Sequence, residues 1–305
     1  MELAIIAFRK MIVMFIILIV GIIAYKTKVV TKEGNSTLSD LLLLIVNPVV
    51  IFMSFQMEFT HEMFIKLWIS IGFAVICHII AIAVSYIAIG KKVKDFEIER
   101  VSAVYSNCGF IGIPIISALF GQEGVFYLAA YIAVFNILLW TQGYILMTGK
   151  KDRKVILKGI FSPCVIAAVL GIICFCLKIS VFKEADEAFN HISNMNTPLA
   201  MLVAGVTIAQ SNVVNALKNI RLYYVCLLKL IIIPVVCAFV LKLFGADNVV
   251  TMTSIIEIAC PVGASCTMFA IRYNKNAVYA SELYVISTLF SAVSLPLVIM
   301  AAGYM

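Results

Sequence analysis

Charge is scarce in this chain: Asp, Glu, Lys and Arg make up 13% of 305 residues, about half the share usual in a soluble domain. A soluble enzyme is excluded, because it has too little polar surface to draw on, and a disordered chain is excluded because it would need more charge and less hydrophobicity. Histidine is rarer still, with His61, His78 and His191 alone. They form no HExxH, and no histidine stands at zinc spacing from a cysteine. The nine cysteines lie inside apolar runs and form no CxxC, so neither a metal site nor a disulfide framework is expected. All five aspartates (Asp40, Asp95, Asp152, Asp186 and Asp247) fall at the ends of apolar segments. An intramembrane aspartyl dyad is therefore missing. There is no GxSxG around a serine either, which leaves an intramembrane enzyme without a motif, and no cofactor is expected.

Apolar residues, by contrast, are abundant: 63% of the chain, with a mean hydropathy of +1.09. This composition predicts an all-α integral membrane protein. Apolar runs near 3–25, 38–57, 63–90, 98–120, 124–149, 155–178, 189–210, 221–244, 248–271 and 279–303 predict ten transmembrane helices, each close to the roughly 20 residues that span a bilayer. Arg9 and Lys10 before the first run give it the look of a signal peptide, but no small-x-small cleavage site follows, so it is expected to remain as the first span. The formal charge of +7 is read as topology, with no nucleic-acid partner. Connections after the first, third, fifth, seventh and ninth segments hold Lys26, Lys28, Lys32, Lys91, Lys92, Lys94, Arg100, Lys150, Lys151, Arg153, Lys154, Lys158, Lys218, Arg221, Arg272 and Lys275. The positive-inside rule places these in the cytoplasm and both termini outside, in a multi-pass protein of the inner (plasma) membrane.

The prolines point to an internal repeat. NPVVIF at Asn47–Phe52 and TPLAML at Thr197–Leu202 set Pro48 and Pro198 in matching places, as Pro114 and Pro261 are. The chain then divides into five-helix halves, 1–150 and 151–305. Because five is odd, the second half enters the membrane from the opposite side, the inverted plan of secondary transporters. The fourth segment carries SNCGFIGIPI at Ser106–Ile115 and the ninth ACPVGASCTM at Ala259–Met268. Proline, glycine and small polar residues in mid-membrane break a helix and mark a cavity. Half-helix N-termini there suit an anion, and half-helix C-termini suit a cation.

These motifs resemble the auxin efflux carrier family. NCGFIGIP is followed by GQEG at Gly121–Gly124 and NILLWTQG at Asn136–Gly143, and later by TPLAMLVAG at Thr197–Gly205, KLIIIP at Lys229–Pro234 and STLFSAVSLP at Ser287–Pro296. The resemblance covers almost the whole chain. It implies the fold of bile acid/sodium symporters, with broken helices four and nine crossing in a transport domain and segments one, two, six and seven forming a scaffold. It also implies a carrier of a small organic anion, a mono- or dicarboxylate such as malonate or malate or an auxin-like carboxylate, moved by elevator-type alternating access, with a possible homodimer. Where family members often carry Asn, this chain has Ser265, a shorter group less able to bridge two partners.

The residues expected at the substrate are Asn107, Gly109, Gly112, Pro114, Pro261, Ser265, Thr267 and Lys229, with Asn47, Pro48, Thr197 and Pro198 at the matched positions. Asn107 would orient a carboxylate. Lys229, the one cation deep in a span, would offset its desolvation. Glu257 and Ser106 are candidates for coupling to Na+ or H+. A Lys229–Glu257 ion pair would be the purely structural alternative, and His78 is read as a packing histidine. The competing function is a membrane-embedded ligand sensor that kept the transporter fold. Cysteines introduced at Lys92 or Lys151 are expected to resist an impermeant thiol reagent applied to intact cells and to react once the cells are opened. Labelling from outside would reverse the orientation.

Overall fold

The computed structural model describes residues 2–211 and 213–304; Met1, Asn212, Met305 and the side chains of Lys158, Val214 and Asn215 lie outside the described residues, so the cation counted at position 158 is not placed. The described residues form helices and no strand, apart from one isolated antiparallel bridge between Ser106 and Val262. In chain order the helices are α1 (Glu2–Lys26), α2 (Lys32–Ser54), α3 (His61–Ala88), α4 (Phe96–Val104), α5 (Cys108–Thr148), α6 (Arg153–Ile160), α7 (Pro163–Leu177), α8 (Lys183–Gln210), α9 (Val213–Lys218), α10 (Ile220–Lys242), α11 (Asn248–Ala259), α12 (Ala264–Arg272) and α13 (Ala277–Tyr304). Seven of them, α1, α2, α3, α5, α8, α10 and α13, are long and apolar enough to cross a membrane, while α7 and α11 are apolar but shorter.

The sequence expects breaks in the fourth and ninth segments, and both are present. Segment 98–120 runs as α4 and the start of α5, with residues 105–107 unwound, and segment 248–271 runs as α11 and α12, with residues 260–263 unwound. Gly121, at φ 60°, interrupts α5 between the expected fourth and fifth segments. Only glycine takes that backbone conformation without strain.

Three prolines act more gently. Pro48, Pro114 and Pro234 each lie two residues after a five-residue stretch of widened turn, 42–46, 108–112 and 228–232. Asn47 N–H then bonds the Leu42 carbonyl, Ile113 the Cys108 carbonyl and Ile233 the Leu228 carbonyl, five residues back instead of four. A proline has no N–H to donate and its ring crowds the carbonyl one turn earlier. Widening the turn relieves that crowding and lets the helix continue.

Two centres of packing stand out, joined by contacts of α1 with α5 and α13 and of α5 with α7. In one, α1 lies along α8, and α2 packs on α7 and on the start of α8. The α1–α8 contact is backbone on backbone: a Cβ on Gly21 would strike the Leu202 carbonyl, and one on Gly205 the Leu18 carbonyl. Small residues permit such approaches between membrane helices. In the other group α11 sits at the centre, packed by α3, α5, α10 and α13, and most of its residues are buried. The outer face of α1 exposes Ile5, Phe8, Ile12, Ile16, Ile19 and Ile23, a helical stripe of the kind that meets lipid.

Ion pairs gather at the two ends of the second group. At one end Arg221 grips Glu99 through Nε and Nη2, at 2.9 and 2.7 Å, and the Tyr279 hydroxyl donates to Glu99 at 2.9 Å. Lys275 bonds Glu97 at 3.0 Å there. At the other end Lys66 reaches Glu62 and Asp247 at 2.7 and 2.9 Å. The connections assigned to one side of the membrane by their basic residues are therefore joined in space.

Gly205→Val is expected to destabilise the protein by about 1–3 kcal/mol, the usual cost of overpacking, seen as a lower melting temperature in detergent. Gly72→Ala, inside α3 at a position where a Cβ meets nothing within 4 Å, serves as the control and should leave the melting temperature the same or slightly higher, since alanine favours a helix over glycine.

Candidate functional site

The two unwound stretches meet in the middle of the bundle and run antiparallel. Asn107 N–H donates to the Pro261 carbonyl at 2.7 Å, and Gly263 N–H to the Tyr105 carbonyl at 3.0 Å. Gly263 is required here, since a Cβ would lie 3.0 Å from the Ser106 carbonyl oxygen. The Val262 N–H is taken by the Ser287 hydroxyl of α13 at 3.0 Å. Backbone groups released from two helices are thus satisfied by each other and by one serine, as an apolar interior demands.

Four helix ends converge at this point and are sorted by sign. The C-terminal ends of α4 and α11 face Lys229, whose Nζ donates to Ser106 Oγ at 2.6 Å, to the Ile258 carbonyl at 3.2 Å and to the Val104 carbonyl at 3.4 Å. Lys229 is fully buried. A cation suits these carbonyls, which carry the negative ends of the helix dipoles. The N-terminal ends of α5 and α12 face the other way, onto a cavity of about 490 Å³. Cys108, Gly109 and Phe110 from α5, and Ala264 and Ser265 from α12, form its floor together with Ser106, Asn107 and Gly263. First-turn N–H groups and the positive dipole ends are disposed to receive an anion.

Of the residues expected at the substrate, Asn47, Asn107, Gly109 and Ser265 line this cavity, as does Ser106. Asn107 is buried, with the Tyr284 hydroxyl of α13 beside its side chain. Neither its Nδ2 nor Ser265 Oγ is open to the cavity surface, although both residues line it. Asn47 Oδ1 accepts from Asn196 Nδ2 at 2.7 Å, which links the first half to the residue just before the matched stretch Thr197–Leu202 of the second. The absence of a side chain on Gly109 lets Asn47 approach, since a Cβ there would lie 3.0 Å from Asn47 Nδ2.

The remaining expected residues lie around the cavity and not on it. Pro48 and Pro114 follow their widened turns, and the Pro261 carbonyl is engaged by Asn107. Thr197 and Pro198 flank the cavity region beside Asn196, with Pro198 exposed. Thr267 Oγ1 is buried and unpartnered away from the lining. Gly112 faces the opposite side of its turn, against the Glu257 carboxylate. Lys229 and Glu257 make no ion pair with each other. The His78 ring donates through Nδ1 to the Ala74 carbonyl at 2.7 Å and stacks near Tyr131, as a packing histidine would.

Arg272, Trp140 and Asn136 also line the cavity and were not among the expected site residues. The Arg272 guanidinium lies 5.6 Å from the centre of the Trp140 ring, a cation–π arrangement. Ser265, Met268, Phe269 and Arg272 form one stripe of α12, all on the cavity. Helical spacing from Ser265 was the signal that could have found Arg272.

Asn107→Ala is expected to lower the melting temperature only slightly, because its side chain gives up a single contact, with Tyr284, while weakening anion binding. Lys229→Met is expected to lower the melting temperature by more, since orphaning each buried acceptor costs about 1–3 kcal/mol. Thermal unfolding and ligand binding measured on both variants check this contrast.

Comparison with known proteins agrees with the sequence resemblance. The family model described as membrane transport protein matches residues 6–156 and 150–299, nearly the whole chain. The chain is similar to an uncharacterized transporter of Methanothermobacter thermautotrophicus, 27% identical over 202 residues. It is also similar to an uncharacterized transporter of Methanocaldococcus jannaschii, 25% identical over 217 residues. The matched stretch spans 65% of this chain in both cases, and 65% and 68% of the relatives' own lengths.

Proposed function

The chain belongs to the membrane transport protein family, the auxin efflux carriers, and from that premise we propose that it is a secondary carrier of a small organic anion that binds in the cavity at the crossing of the two broken helices. The observation that carries this reading is the sorting of helix ends: two positive ends meet a cavity of about 490 Å³ that Asn107 and Ser265 also line. An anion leaving water needs strong donors to offset its desolvation. The cavity floor offers such donors, and Arg272 adds a full positive charge on its wall. Fixed backbone donors suit carboxylates of several shapes, so a mono- or dicarboxylate is the class of substrate we assign.

Transport then proceeds by alternating access. In this reading the chain crosses the membrane ten times, with 1–150 and 151–305 as inverted halves. The group centred on α11 is the moving body and the group around α1 and α8 the scaffold. The cavity lies at their boundary, lined by Asn47 and Leu44 from α2 on one side and by α5 and α12 on the other. Sliding the crossing past α2 and α7 would expose the same floor to each face of the membrane in turn.

Counterflow in proteoliposomes tests the function. Vesicles loaded with unlabelled malonate, malate or benzoate are expected to take up the same labelled anion faster than protein-free vesicles do, and Asn107→Ala should reduce that exchange at least several-fold. Binding to the purified protein with no exchange for any of the three would favour the ligand-sensor reading.

A further inference from the structure

Glu257 is the acid that the site leaves unexplained. It lies four residues before Pro261 on α11 and is fully buried. Neither carboxylate oxygen has a hydrogen-bond partner among the described residues beyond the weak Cys108 thiol alongside. The ionisable groups brought to this region are Cys108 and Tyr131 from α5, Lys229 and Cys237 from α10, Cys77 and His78 from α3, Tyr284 from α13 and Cys260 on the same chain stretch. Lys229 is the full charge among them, and its ammonium is committed to Ser106 and two carbonyls. A carboxylate anion buried without donors is costly, whereas the neutral acid is tolerated.

The position of this carboxyl relative to the cavity gives it a use. The widened turn of α5 at residues 108–112 has two faces: Cys108, Gly109 and Phe110 line the anion cavity, while Gly112 lies against Glu257. A side chain on Gly112 would collide with the carboxylate. An anion in the cavity and the Glu257 carboxyl are therefore separated by one turn of helix, a low-dielectric medium that screens their repulsion weakly. Each negative charge disfavours the other, so a bound anion favours the protonated acid, and by linkage the protonated acid favours the anion.

We propose that Glu257 is the proton-carrying group of this protein, taking up a proton from one compartment when the anion binds and releasing it to the other when the anion leaves, so that transport is proton-coupled symport. The inference rests on the carrier reading above and adds its coupling ion.

The test uses the full-length protein in sodium-free proteoliposomes with the membrane potential clamped to zero by potassium and valinomycin. The probe is whichever of malonate, malate and benzoate exchanges in counterflow, with protein-free vesicles subtracted. With one pH unit imposed, acid outside, the wild type should accumulate the labelled anion up to about tenfold, the limit for one proton per anion. Glu257→Gln, which mimics the neutral acid, should keep counterflow and lose the accumulation. Accumulation by Glu257→Gln equal to that of the wild type overturns the assignment. Wild-type counterflow with no response to the pH gradient overturns proton coupling and leaves the carrier intact, whereas absence of counterflow for all three anions overturns the carrier reading itself. Because the glutamine variant can fail to fold, the wild type is also read directly: adding the anion to purified protein in weakly buffered detergent should remove protons from solution, and no uptake at saturating anion overturns the proposal.

Discussion

Two helices broken in the middle of an apolar bundle create four ends whose backbone groups have no water to bond with. Most polar contacts of the central region answer that constraint. The two unwound stretches bond each other through Asn107, Pro261, Tyr105 and Gly263, Ser287 takes the Val262 N–H, and Lys229 takes the C-terminal carbonyls of α4 and α11. What remains is the pair of N-terminal ends, and these are the ends that face the cavity. The groups the protein satisfies internally hold its shape, and those it leaves open are where a ligand can act.

The same division explains why the buried ionisable residues are so few and so differently placed. Lys229 is surrounded by oxygens and serves the helix ends. Glu257 is surrounded by almost nothing it can bond. Had they formed a pair, each would have cancelled the other and neither would need explanation. Their separation leaves one cation fixed in place and one acid set against the back of the cavity floor.

The large-scale pattern was legible in the sequence because membrane helices announce themselves by composition. The apolar runs, the broken fourth and ninth segments and the weight of Asn107 and Ser265 all follow from residue types in a local window. The structure divides the run 155–178 further, into α6 and α7, and places the kink at Gly121 at the expected boundary between the fourth and fifth segments. The partners of Lys229 were not legible, because Ser106 lies 123 residues away and Ile258 lies 29, and only the tertiary fold brings them together. Arg272 was read as a connection cation because it ends a segment, although its helical spacing from Ser265 places it on the cavity. Gly112 was expected at the substrate because it belongs to the same motif as Gly109. A widened turn sends the two to opposite faces.

The backbone contact between α1 and α8 has a mechanical meaning. Where Gly21 and Gly205 bring two main chains together with no side chain between them, there is no soft layer to shear, and the two helices behave as a single beam. That beam joins the start of the chain to its second half. Its close fit resists sliding of one helix along the other, whereas the cavity is walled by flexible side chains such as Leu43, Leu44 and Met268. One fold thus combines a joint that resists sliding with a cavity wall that can repack.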